Sequence, residues 1–339
     1  MEWRKAVGML SRWTVRWPRL RKRWRAVKSS VLVGLVRAAL WLLDRLSLEQ
    51  AVAFGERLGT VAYSLLRRNR QLALQHLELA FGNELSPELR QRIARAAFAN
   101  FGRAFCELAK IDAIRSRRDE LFELEGREHL EAVLAGGRGC IAITGHIGNW
   151  ELLAAYFAWQ GIAVSAVARR VYVPRLNALI VDWRRRQGVE TIARESPEAA
   201  RKILGVLKRN GILAMLIDQD THVPSISVPF FGRLARTPVA AAALAARRNL
   251  PAVPVFIQRS GELGWRVSVR APLYANANLP FPQRVRELTV ALNAALEQQI
   301  RANPVEWVWW HRRWRRGPMP QLDLDERFPY ESERVAHLS

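Results

Sequence analysis

The chain has 339 residues, half of them apolar, enough for one large domain or two small ones with a full-sized core. Its 53 Lys and Arg against 31 Asp and Glu leave a formal net charge of +22, which points to a polyanionic partner: nucleic acid, an anionic membrane or an acidic protein. The 13 Trp beside so many Arg favour lipid headgroups, and Cys106 and Cys140, far apart in apolar surroundings, exclude a disulfide framework and fit a reducing setting.

The first 28 residues crowd Lys and Arg around Trp3, Trp13, Trp17 and Trp24, without the apolar run and cleavage site of a secretory signal. From Ser29 to Leu43 an apolar stretch follows, broken by Arg37. As a helix rising ~1.5 Å per residue it reaches ~22 Å, short of the ~30 Å hydrocarbon core of a bilayer. Leu32, Leu35, Val36, Ala39, Leu40, Leu43 and Leu46 keep helical spacing. The alternatives are a core-packing helix and, favoured by the basic Trp-bearing flank, an amphipathic helix anchored at a membrane surface.

Residues 51–112 read as further helices, with Ser86-Pro87 opening one over 88–108. Near residue 138 the pattern changes. Strands at 140–144, 162–168, 212–217, 252–258 and 265–269 alternate with helices at 149–159, 174–186, 196–210, 237–248 and 283–302. That alternation predicts an α/β fold, a mostly parallel central sheet flanked by helices, behind an N-terminal amphipathic membrane anchor. The expected division is 1–50 for membrane association, 51–320 for the α/β body with its helical N-terminal part, and 321–339 for a tail. No RNP-type strand, KH loop, zinc finger or helix-turn-helix pattern is present, so no nucleic-acid partner is expected.

His146 stands at the end of a predicted strand, where α/β proteins place their chemistry, and Glu151 falls in the first turn of the next helix. A carboxylate on one ring nitrogen fixes the tautomer and leaves the other nitrogen to take a proton, so such a pair can activate an alcohol without a Ser or Cys nucleophile. A structural histidine is the alternative; Gly145 and Gly148 weigh against it, because they allow another molecule close to the backbone. The histidines show no metal-ligand spacing, and no metal is expected.

The run Gly145-His146-Ile147-Gly148-Asn149-Trp150-Glu151 resembles the H-x4-D/E motif of the glycerolipid and lipid A acyltransferases, especially the lauroyl and myristoyl transferases of lipid A biosynthesis. Arg67-Arg68-Asn69-Arg70 through Leu79-Ala80-Phe81-Gly82, Glu125 to Leu130, Asp218-Gln219-Asp220, Pro229-Phe230-Phe231-Gly232 and Trp309 to Trp314 are similar to that branch in the same order. The resemblance implies that His146 is the general base, that Glu151 orients it, and that an acceptor hydroxyl attacks an acyl thioester directly. It implies no cofactor, an acyl carrier protein as donor, and a phosphorylated lipid A precursor together with anionic membrane lipid as partners, at the cytoplasmic face of a bacterial inner membrane. Arg169 or Arg170 would hold substrate phosphate, and Arg186 would contact an anionic substrate or merely stabilise its helix end. Asp218 and Asp220 would order Arg side chains in the site. Phe230, Phe231 and Gly232 would line the acyl or acceptor groove, two core phenylalanines being the alternative. The competing functions are acyl transfer to a lysophospholipid or other glycolipid, and a basic membrane-binding protein without catalysis.

Overall fold

The structure is a computed structural model that describes residues 30–314, Leu32 excepted. The basic flank (residues 1–28) of the expected membrane-association segment 1–50 and the tail (321–339) lie outside the described residues. A helix over residues 33–44, α1, carries the apolar spacing noted above but leaves Leu35, Leu40, Trp41 and Leu42 exposed while Val33 and Leu43 are buried. Among the described residues no helix is long and apolar enough to cross a membrane. The expected place at a bacterial inner membrane is corrected on that finding.

Ser47 opens α2 (Leu48–Leu65) with a reciprocal capping box to Gln50, and α3 (Arg67–Phe81) follows. Ser86 caps α4 (Pro87–Ala109), where Pro87 loses nothing because a first-turn N–H has no helical partner. Helices α2 and α4 cross at glycines: a Cβ on Gly55 would stand 2.5 Å from the carbonyl oxygen of Gly102, so neither position tolerates a side chain without the helices parting. Two short helices, α5 (Ile111–Ser116) and α6 (Arg118–Leu121), lead to the first strand.

Strands β1 (Phe122–Glu125), β2 (Cys140–Thr144), β3 (Val164–Ala168), β4 (Val189–Ala193), β5 (Ile212–Leu216), β8 (Ala252–Ser260) and β9 (Gly264–Val269) form a sheet in the order β1-β9-β8-β2-β5-β3-β4. All neighbours are parallel except β8 and β9. The crossovers are α7 (Arg127–Ala135), α8 (Trp150–Trp159), α9 (Pro174–Arg186), α10 (Ala199–Lys208) and α11 (Ala240–Arg248), and α12 (Phe281–Ala302) follows β9. The expected mostly parallel α/β fold is what the chain adopts. The centre of the sheet is covered on both faces, so β2 reads Cys-Ile-Ala-Ile-Thr with every residue buried. Alternate residues separate two cores: Ile141, Ile143, Leu213 and Met215 face one, Cys140, Ala142, Ile212 and Val255 the other.

Four strands escaped the sequence reading: β1, β4, β6 (Ser225–Phe230) and β7 (Arg233–Pro238). β1 has only four residues, and β4, directly after Gly188, interrupts its apolar residues with Glu190 and Thr191, while β6 and β7 form a separate antiparallel hairpin packed on α12. Its tight turn puts Phe231 and Gly232 at positive φ. Thr237-Pro238, expected to begin a helix, ends β7, and α11 starts at Ala240.

Candidate active site

The register of two central strands assembles the site. β2 and β5 are parallel neighbours with Thr144 opposite Leu216, so two residues further on His146 and Asp218 emerge side by side at the carboxyl edge of the sheet. Ring nitrogen Nδ1 of His146 lies 2.8 Å from Oδ1 of Asp218, and the His146 backbone N–H donates to Oδ2 at 2.8 Å. A third donor, Nε1 of Trp307, reaches the same Oδ2 at 2.8 Å. The carboxylate is fully buried, whereas 19% of the His146 side chain stays exposed. Burial pushes the Asp218 carboxyl up, but the facing His146, through charge and hydrogen bond, carries it well below the usual carboxylate range. An ionised Asp218 accepts from Nδ1–H, and the imidazole lone pair is left on Nε2.

Glu151 does not face this imidazole. From the first turn of α8 its carboxylate turns to α9 and takes a two-pronged bond from Arg184, Nε donating to Oε2 at 2.7 Å. Burial alone would lower the Arg184 guanidinium; the bonds from Glu151 more than offset it and hold it above its usual value. The expectation that Glu151 orients His146 is therefore corrected. A four-residue loop allows that contact, but the β2–β5 register brings a nearer carboxylate and the guanidinium draws Glu151 away. Asp218 in turn orders the imidazole, not an arginine.

The loop bearing His146 is held from behind. Gly148 has φ +58 and lies so close to β8 that a Cβ there would stand 2.2 Å from the carbonyl oxygen of Ile257. Its N–H donates to the Glu306 carbonyl at 2.9 Å, and the Val308 N–H donates to the His146 carbonyl at 3.2 Å. Asn149 caps α8 by accepting from the Leu152 N–H, and donates to the buried Glu107 carboxylate at 2.9 Å. Glu107 is also paired with Arg259, whose backbone N–H meets Glu306. Burial pushes the Glu306 carboxyl up, with Arg259 opposing.

Two further polar groups meet the imidazole. The His311 ring packs edge-on to it, with centroids 4.5 Å apart, and the Gln219 amide nitrogen lies 3.0–3.2 Å from the nitrogens of both rings. Burial, helped by His146 and opposed by Asp218, drives the His311 imidazole down to about 3, so it is neutral at physiological pH. Gln219 and His311 fall within the motifs that carry the family resemblance, but that they and Trp307 meet at His146 was not legible, because they lie 73–165 positions away and His311 reads as a structural histidine.

A cavity of about 880 Å³ opens beside His146. Its mouth is polar, with Glu151, Arg169, Arg184, Arg194, Glu195 and Asp220. Its deeper wall is apolar: Ala142, Ala214 and Ala166 sit in one row across β2, β5 and β3, facing Leu153, Ala154 and Phe157 of α8. The small side chains of that row keep open the space between sheet and helix.

Of the other expected site residues, Arg169 and Asp220 reach the cavity. Arg170 is exposed and uses its backbone N–H on Glu195, and Arg186 is paired with Asp182 on the outer side of α9. Phe230 and Phe231 are buried against Trp307, Trp309, Trp314 and Phe81, so the structure takes them out of the groove and into the core, while Gly232 sits on an exposed turn outside the cavity. The described part of the C-terminal Trp/Arg run is largely interior, with Arg312 the exposed exception. Trp307, Trp309 and Arg313 are fully buried, the guanidinium bonded to the Arg236 carbonyl, Thr237 and Asn293. Burial also raises the thiols of Cys106 and Cys140 to about 11 and about 12, leaving neither a ready nucleophile.

A carboxylate–imidazole pair at the lip of an apolar pocket suits deprotonation of a hydroxyl beside a long aliphatic chain. The chain is 27% identical over 298 residues to the lipid A biosynthesis lauroyltransferase of Escherichia coli (strain K12), covering 85% of this chain and 92% of that protein. It is 25% identical over 297 residues to the palmitoleoyltransferase of the same strain, covering 84% and 91%. With the phosphatidylinositol mannoside acyltransferase of Mycobacterium tuberculosis (strain ATCC 25618 / H37Rv) it shares 26% identity over 226 residues, 65% of this chain and 69% of that one. The sequence profile of the bacterial lipid A biosynthesis acyltransferases matches residues 21–316, nearly the whole chain; the chain belongs to that family and is an acyltransferase acting on a lipid substrate.

Proposed function

We propose that the protein transfers a fatty acyl chain from an acyl-carrier-protein thioester to a hydroxyl of a lipid A precursor, with His146 as general base. The observation that carries this reading is the Nδ1–Asp218 bond, which leaves Nε2 as the basic nitrogen of an imidazole that lines the cavity. The hydroxyl gives its proton to Nε2 as its oxygen bonds to the thioester carbonyl carbon. The tetrahedral intermediate then expels the thiolate, which takes the proton back from the imidazolium. The acyl chain occupies the space between α8 and the Ala142–Ala214–Ala166 row. Arg169 and Arg194 at the mouth suit the phosphates of the acceptor. The net charge of +22 speeds the encounter with an acidic carrier protein.

A lipid A precursor is favoured over a phosphoinositide glycolipid because the lipid A enzymes match 84–85% of this chain and the mycobacterial enzyme 65%. The test is transfer by the purified protein from acyl carrier protein to a phosphorylated disaccharide lipid, read by mass spectrometry, with phosphatidylinositol mannoside and lysophospholipid as competing acceptors. His146→Ala abolishes transfer and leaves the fold intact; transfer to lysophospholipid alone would reassign the acceptor.

A further inference from the structure

We propose that His146, Asp218 and His311 form a binding site for a nitrogen-preferring divalent transition-metal ion such as Zn²⁺, and that an ion held there switches acyl transfer off. One donor atom from each of the three side chains lies within 4.8 Å of the others. Donors around a tetrahedral ion with ~2.0 Å bonds stand ~3.3 Å apart, so side-chain movements on the order of an ångström close this set on an ion. Two imidazoles and one carboxylate are the donor set that Zn²⁺, Co²⁺ and Ni²⁺ prefer and Mg²⁺ and Ca²⁺ do not.

The surroundings prepare the donors. Oδ2 of Asp218 is taken by the His146 backbone N–H and by Trp307, which fixes the carboxylate and leaves Oδ1 turned to the imidazole. The two rings already meet edge to face at 4.5 Å. Gln219 stands between them with its amide nitrogen 3.0–3.2 Å from both, and a half-turn of that amide presents its oxygen as a fourth donor.

The inhibitory consequence follows from the electron count of imidazole. A neutral ring has one nitrogen lone pair in its plane. Whether the ion takes it at Nδ1 or at Nε2, the other nitrogen carries hydrogen and none remains to accept a proton from a hydroxyl. Metal occupancy and base catalysis at His146 are mutually exclusive; this half of the proposal rests on the base role given above, and the binding half does not.

The test uses the full-length protein, with Co²⁺ as a visible-absorption probe, Zn²⁺ as competitor followed by calorimetry, and Mg²⁺ as control. One Co²⁺ binds with the intense visible bands of a four-coordinate site and is displaced by Zn²⁺, while Mg²⁺ leaves the spectrum unchanged. His146→Phe and His311→Phe each weaken binding by about 100-fold or more, and His129→Ala, on α7 and outside the cluster, does not. Where a phenylalanine variant fails to fold by circular dichroism, X-ray absorption of the Zn²⁺-loaded wild type takes its place and shows two imidazoles in the first shell. Binding unaltered in both variants, no binding tighter than about millimolar, or an absorption spectrum without two imidazoles overturns the site. Zn²⁺ bound at the cluster with transfer unchanged overturns the switch and, with it, the base role of His146; inhibition reversed by a chelator supports both.

Discussion

Asp218→Asn separates the pairing seen in the structure from the His146/Glu151 pairing suggested by spacing. Asp218 accepts three bonds of 2.8 Å: the His146 backbone N–H and Trp307 Nε1–H on Oδ2, and His146 Nδ1–H on Oδ1. Asparagine has the same shape and keeps its oxygen for the two outer donors. Its NH2 then faces Nδ1, so the imidazole carries its proton on Nε2 and its lone pair points at the introduced amide rather than into the cavity. The productive tautomer sets two N–H groups against each other at 2.8 Å and forfeits a charged hydrogen bond worth roughly 1.5–3 kcal/mol. The transition state also loses the anion that balances the imidazolium. Together these come to on the order of 4–5 kcal/mol, or about 10³–10⁴ in kcat, which is the size of the effect known for the equivalent change in a Ser-His-Asp triad. The melting temperature falls as well, because the folded state holds the Asp218 carboxyl well below its ordinary range and the ionised group therefore favours the fold. The assay is single-turnover acyl transfer across pH with the melting temperature recorded in parallel, and Glu151→Gln as comparison. Glu151→Gln disturbs the Arg184 pair in the cavity wall and leaves the acid limb of the pH profile in place. A D218N protein that folds and keeps more than about a tenth of the wild-type rate refutes the assignment, as does an acid limb that moves in E151Q and not in D218N.

Ala214→Leu adds three carbons to the row that floors the cavity; excluding two or three methylenes of the longest accepted chain costs about 0.8 kcal/mol each, so the product shifts to shorter chains by about tenfold or more in ratio, read by lipid mass spectrometry. Asn149→Ala removes the cap of α8 and one of the partners of buried Glu107, and unfolding in urea shows a loss of about 2–4 kcal/mol. His311 is held neutral down to about 3, whereas an unfolded histidine takes its proton near 6.5, so the unfolded state binds the extra proton and stability falls as pH drops through that window. A melting series from pH 7 to 4 shows this slope in the wild type and a shallower one in His311→Phe.

The alternation of helix and strand signals from residue 140 onward determined the α/β class, because burial on both faces turns a central parallel strand into an unbroken apolar run and capping residues mark helix starts locally. His146 was legible for the same kind of reason: strand, Gly-His, then an Asn cap form a local pattern. The partner of His146 was not. Spacing offered Glu151, five residues away, while the carboxylate that bonds the ring comes from Asp218, 72 positions on, through the register of β2 with β5. Register belongs to the pairing of distant strands, and a one-residue slip would have turned Asp218 to the opposite face. The aromatic runs misled in the complementary way. Composition cannot distinguish Trp and Phe at a lipid surface from Trp and Phe in a core, since both environments reward the same apolar rings; only packing decided that Phe230, Phe231, Trp307 and Trp309 are interior. The meeting of His146 with His311 and Gln219 is tertiary too, because the C-terminal segment returns across the sheet edge by backbone bonds at Gly148 and Val308 that no local spacing encodes.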